Sequence, residues 1–158
     1  MRISWIILIV ASGLISCTKE IVITEAEIGS DLLYTQDNIS PFSGKCKVVY
    51  ADTEFVKEVL TFRKGRLDGD ARYYYQNGSI KWKGNYRNGF ISGKWEFWDE
   101  NGKIMYVVNY KHDTLEGEFK SYNDNGTIRE MGCYSNNSRK GEWIVYSEKG
   151  QISSKKSY

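Results

Sequence analysis

The chain has 158 residues, a length suited to one domain, and its 22 basic and 20 acidic side chains nearly cancel. That balance lacks the clustered basic excess of nucleic-acid binders, so a nucleic-acid partner is not expected. Pro occurs once, at Pro41, whereas Gly occurs 15 times and aromatics supply 15% of the residues, which is the composition of short strands joined by tight turns.

Met1-Arg2 is a short positive segment, and Ile3 to Ile15 is almost wholly apolar and uncharged. This run has the length of a signal-peptide core and is shorter than the ~20 residues a membrane-spanning helix needs. It ends in Leu14-Ile15-Ser16-Cys17, which resembles the bacterial lipobox. The resemblance implies cleavage before Cys17, a thioether-linked diacylglycerol on its sulfur and an N-acyl chain such as palmitate. Several acyl chains together anchor a protein stably, where one alone is marginal. Residues 1–16 carry one Arg and no acid, so the mature charge is 21 minus 20, or +1. Thr18, not Asp, follows the Cys. By resemblance to the Gram-negative sorting rule, this implies the outer membrane of a bacterial envelope, with the face left open.

Residues 18–30 mix acids with aliphatics and are not repeated. They read as a tether from the lipid to the first strand, so 17–30 is expected to be a lipid-anchored linker. The alternative is a capping strand, because Glu20–Thr24 contains the run Ile21-Val22-Ile23.

From residue 31 onward the chain is periodic. Gly69, Gly93, Gly117 and Gly141 are spaced by 24, and so are Gly78, Gly102, Gly126 and Gly150. Ile80, Ile104, Ile128 and Ile152 repeat at the same period, as do Tyr86, Tyr110, Tyr134 and Tyr158. Gly44 lies 25 residues before Gly69 and opens a degenerate copy with one extra residue. Such a period means that one supersecondary unit is stacked repeatedly.

Each unit reads as a β-hairpin. In Gly93-Lys94-Trp95-Glu96-Phe97-Trp98, Trp95 and Phe97 alternate with Lys94 and Glu96, so one face is apolar and the other charged. The return strand runs from Ile104 to Tyr110, with Ile104, Tyr106, Val108 and Tyr110 expected on one face. Asp99-Glu100-Asn101-Gly102 is a type I turn leading into a left-handed glycine. Between units, the column Gly65, Gly89, Asp113, Asn137 holds the residue types that tolerate positive φ, which points to a backbone requirement. The glycine at each strand start, such as Gly93, is expected to permit a bulge or close approach. The fold class is therefore all-β, a single-layer antiparallel β-meander of repeated hairpins over 31–158.

The recurring G-x-W-x-x-W-x-x-N-G-x-I-x-x-x-x-x-Y pattern resembles the MORN repeat and its bacterial variant, found in proteins labelled the YwqK family of toxin–antitoxin antitoxins. Leu32-Leu33-Tyr34 and Ser40-Pro41-Phe42-Ser43-Gly44 also resemble the usual start of that family. Cys46 and Glu130 depart from the pattern, standing where aromatic or aliphatic residues are usual. The resemblance implies a scaffold and leaves activity open. Eukaryotic MORN proteins are associated with membranes and lipids, but a mature charge of +1 offers no basic patch for that role.

Little in the chain points to catalysis. The single His, His112, sits beside Asp113 in a turn whose counterparts hold Lys64, Asn88 and Asn136, so it reads as a solvated loop tip without a nucleophile. Cys46 and Cys133 have no metal-ligand spacing. They fall seven strands apart in a meander, about 30 Å at ~4.8 Å per strand, too far for a disulfide. No cofactor is expected, and an enzyme is not. The aromatics are the strongest binding candidates. Most should form the core, but the column Tyr74, Trp98, Tyr122 and Tyr146 lies near the turns and is expected to stay partly exposed.

Three readings follow. The first is an envelope interaction module that binds a protein partner through its sheet. The second is a carbohydrate or cell-wall binder that uses the aromatic ladder. The third, implied by the resemblance, is an antitoxin; with an export signal it would have to act on an exported or envelope-acting toxin. The lipobox reading gives the first testable outcome. Cys17→Ala should leave the detergent-extracted membrane fraction on cell fractionation, and retention at the wild-type level would refute lipid anchoring.

Overall fold

In the computed structural model the described residues are 20–24, 41–50 and 53–158. The signal segment, Cys17 and most of the expected tether lie outside them. The strands are β1 (Glu20–Thr24), β2 (Gly44–Val49), β3 (Val56–Arg63), β4 (Arg66–Tyr74), β5 (Ile80–Arg87), β6 (Phe90–Trp98), β7 (Ile104–Lys111), β8 (Thr114–Tyr122), β9 (Ile128–Ser135), β10 (Ser138–Tyr146) and β11 (Ile152–Ser157). They form one open sheet in chain order, with no helix among the described residues. From β2 to β11 every pair is antiparallel, as the meander requires. β1 is the exception and pairs in parallel with β2, Glu20 opposite Lys45 and Thr24 opposite Val49. Over Glu20–Thr24, then, the capping strand replaces the expected tether, its backbone pairing with the otherwise open edge of β2.

The two turn types differ in backbone and in what they bond. In the hairpin turns, Gly78, Gly102, Gly126 and Gly150 donate to the carbonyls of Tyr75, Asp99, Asn123 and Ser147 at 2.8–3.1 Å. These glycines have φ between +76° and +83°, as the type I turn reading predicts. The extra residue of the first copy sits in its hairpin loop. There Tyr50 N bonds Phe55 O, whereas the next unit closes with Tyr75 N to Ser79 O. In the inter-unit turns positive φ extends to both central residues: Lys64, Asn88, His112 and Asn136 at 49° to 53°, and Gly65, Gly89, Asp113 and Asn137 at 62° to 89°. Two consecutive left-handed residues make a type I′ turn, whose twist matches the strands it joins. Where Asp or Asn replaces Gly, its side chain adds a bond to the preceding unit: Asp113 Oδ1 accepts from Ile91 N at 2.6 Å, and Asn137 Oδ1 from Leu115 N at 2.8 Å.

The glycine expected at each strand start is instead the fourth residue of its strand, and it marks a bulge as expected. Gly69, Gly93, Gly117 and Gly141 have positive φ and lie where the register shifts, for example between Lys83/Asn85 and between Val108/Tyr110. A second shift, between Phe97 and Trp98, skips Met105 and sets Trp98 opposite Ile104. Tyr106, Val108 and Tyr110 share the face of Phe97 and Trp95 as expected. Ile104 does not, because the bulge interrupts the alternation.

With one layer, the apolar face must bury itself. Trp95 and Trp143 are only 3% and 1% exposed, and each indole lies across a glycine of the preceding strand. A Cβ on Gly84 would overlap Cδ2 and Cε2 of Trp95, and one on Gly132 would overlap the same atoms of Trp143. Each indole N–H then donates to the carbonyl beyond that glycine, Asn85 O at 3.2 Å and Cys133 O at 3.1 Å. The same two columns read Leu60 with Ala71, Gly84 with Trp95, Val108 with Phe119 and Gly132 with Trp143. The two largest residues, Trp95 and Trp143, thus face the two smallest, Gly84 and Gly132. Rings continue the packing along the sheet: Tyr86 edge-on to Trp95 at 5.4 Å, Phe97 stacked on Tyr106 at 4.3 Å, and Tyr134 edge-on to Trp143 at 5.0 Å.

This packing has a direct test. Gly84→Val should destabilise by about 1–3 kcal/mol through overpacking. Adding Trp95→Phe recreates the native Val108–Phe119 pairing and should recover a measurable part, a coupling on the order of 1 kcal/mol. Gly89→Asn should fall within about 0.5 kcal/mol of the parent. Denaturant unfolding of the parent, Gly84→Val, Trp95→Phe, the double variant and Gly89→Asn checks this, and strict additivity of the first two substitutions would refute the pairing.

Candidate functional site

The row Tyr74, Trp98, Tyr122 and Tyr146 closes strands β4, β6, β8 and β10. All four residues are half-buried, as expected of this column. Alternation puts Trp98 with Lys94 and Glu96, on the face opposite Trp95 and Phe97. The contacts agree: Lys83 Nζ lies 4.8 Å from the centroid of the Trp98 ring, a cation–π contact. The aromatic row and the charged face are therefore one surface.

That surface is built around Glu96. Its carboxylate takes Lys83 Nζ at 3.1 Å and Lys94 Nζ at 2.5 Å. Partial burial by itself pushes the Glu96 carboxyl up, but the hydrogen bonds from Lys94 and Lys83 outweigh it and hold the group below its ordinary value. The bond to Glu96 in turn raises Lys94. Farther along, Lys120 pairs with Glu118 at 3.3 Å and Lys155 with Glu142 at 3.2 Å. Tyr122 borders an open groove of about 330 Å³ shared with Lys94, Val107, Asn109, Glu118 and Lys120. Tyr146 donates its hydroxyl to Met131 Sδ at 3.3 Å. Such a surface offers ring faces for stacking, flanked by ion pairs that can open to receive polar groups.

The other singled-out residues separate. His112 is an exposed turn tip whose ring meets Phe90 edge-on at 5.5 Å, while the Asp113 carboxylate is turned to the Ile91 amide. The two do not form a base and its orienter. Cys46 is buried and Cys133 exposed, both reduced and on strands β2 and β9. Among the described residues no group of three His, Cys, Asp or Glu side chains could hold a metal ion. Cys17 lies outside the described residues.

One cluster was missed. Glu130, noted only as a departure from the pattern, pairs with Arg139 at 2.8 Å. The guanidinium of Arg139 stacks 3.8 Å from the Trp143 ring centroid and donates to Tyr158 OH at 3.2 Å. Arg139 occupies the column of Leu67, Ile91 and Leu115, and Glu130 that of Trp82 and Tyr106. Two opposite charges entering two apolar columns of one unit were the available signal. They close the aromatic face with a polar cap.

The comparison with curated proteins gives no match. The family described as MORN repeat variant matches the chain four times, over residues 67–88, 91–112, 115–136 and 139–158. Each match begins just inside the first strand of a hairpin and ends at or near the close of its second, and together they cover more than half of the chain. The chain belongs to the MORN repeat variant family.

Proposed function

We propose that this MORN repeat protein is a non-catalytic envelope lipoprotein, held to the membrane through Cys17, whose sheet binds a protein partner along the row Tyr74, Trp98, Tyr122 and Tyr146. The observation that carries the reading is this row of half-buried aromatics on the charged face. It recurs at every second strand, hence about every 10 Å at ~4.8 Å per strand. Equivalent contacts on one rigid frame reinforce one another, so each can be weak. The shallow, open grooves suit an extended partner better than an enclosed small molecule. Antitoxin-like action is the special case in which the partner is a toxin exported to the same compartment.

The core and the row respond differently to truncation. Trp95→Ala should cost ~3–5 kcal/mol, a large share of the stability of a small domain, and should largely unfold the sheet. Trp98→Ala and Tyr122→Ala should mostly keep the fold and weaken partner retention. Melting temperature and capture from the native envelope, measured together on these variants, provide the check. Unfolding of Trp98→Ala to the extent of Trp95→Ala would place the row in the core and refute the binding surface. Capture of glycan in place of protein would select a cell-wall binder.

A further inference from the structure

The two long rims of the sheet, each a row of turns, carry different charge. The inter-unit rim holds Arg63, Lys64, Arg66, Arg87 and Lys111, all exposed. The hairpin rim holds exposed Glu54, Glu100, Asp124 and Glu148 against Lys103 and Lys149, an acidic excess. A net charge near zero conceals this segregation, and the expectation that the chain has no basic patch is corrected by it.

The carboxylates near the basic rim are already engaged. Asp68 pairs with Arg63 at 3.5 Å, Asp113 accepts from the Ile91 amide, and Glu116 accepts from the Ser135 hydroxyl and the Asn136 amide. Lys64, Arg66, Arg87 and Lys111 have no carboxylate partner among the described residues. On the sheet face the contrast is plain, since Lys83, Lys94, Lys120 and Lys155 are each ion-paired. Beside the free cations stands Phe90, 44% exposed, with the His112 ring against its edge.

We propose that this rim is a second binding surface, and that its occupant is an extended acidic protein segment lying across the turns. The spacing carries the choice. Successive inter-unit turns are two strands apart, about 10 Å, which an extended chain spans in roughly three residues at ~3.3 Å each. Carboxylates at every third position of such a segment meet Lys64 and Arg66, then Arg87, then Lys111. Arg66 and Arg87 can each grip a carboxylate with two N–H groups, and an apolar side chain of the segment can rest on Phe90. The surface is independent of the aromatic row, from which the length of the strands separates it.

The test uses the full chain in detergent and a fluorescein-labelled synthetic peptide with glutamate at every third position, followed by fluorescence anisotropy. Binding should weaken as salt rises. Arg66→Glu combined with Arg87→Glu should weaken it roughly tenfold or more, while Lys103→Glu combined with Lys149→Glu, on the opposite rim, should not. These side chains are exposed, so melting temperatures should stay close to the parent value. Equal loss in both double variants would overturn the proposal by showing unspecific attraction. So would equal binding of a peptide with its glutamates contiguous. Loss of retention on phosphatidylglycerol vesicles in the Arg66→Glu, Arg87→Glu variant, with peptide binding unchanged, would overturn it in favour of a lipid surface.

Discussion

The indole of Trp95 lies flat on the backbone of Gly84, and that of Trp143 on Gly132. A sheet with no second layer has no opposing side chains to complete its core. Here each large ring leans along the sheet and uses the strand beside it as the missing layer. The glycine lets the ring come down to the backbone, and the indole N–H meets a main-chain carbonyl there, so the tryptophan is buried without an orphaned donor. The bulges follow from the same demand. They insert residues into the strand that carries the ring and turn it toward its neighbour. The aromatic ladder, the glycine-marked bulges and the 24-residue period are thus three expressions of one packing problem.

Much of this was legible because the repeat supplies its own comparison. Four copies of each column separated backbone requirements from side-chain preferences, so the hairpin glycines and the column Gly65, Gly89, Asp113 and Asn137 could be read as conformational. The pairing of Gly84 with Trp95 was also present in the sequence. A size trade of this kind shows only between two columns and in no single one. The first left-handed position of the inter-unit turn was hidden too, since Lys64, Asn88, His112 and Asn136 do not advertise positive φ as glycine does.

The candidate site was legible in its members and less so in its setting. Alternation alone puts Trp98 on the face of Lys94 and Glu96, but it does not show the contacts that join them. The ion pairs of Glu96 and the approach of Lys83 to Trp98 show how ring and charge coexist: a lysine can cover a ring with its stem and keep its ammonium in water. The Arg139–Glu130 pair and the segregation of charge between the rims depend on which strands are neighbours, so they became visible only with the sheet order.

The position of β1 has a consequence for reach. Glu20 opens the strand three residues beyond Cys17, and an extended chain covers at most ~3.6 Å per residue. With the proposed lipid on Cys17, the Cα of Glu20 would lie within about 11 Å of the Cα of the acylated cysteine. Successive strands then step away at ~4.8 Å each, so a sheet set on that edge could stand about 50 Å tall. A long leash would let the module sample a wide hemisphere at low local concentration. A short one would keep the module's first strand near the bilayer while later repeats could stand farther off. What it meets would be set by height above the bilayer, because each repeat holds its own level.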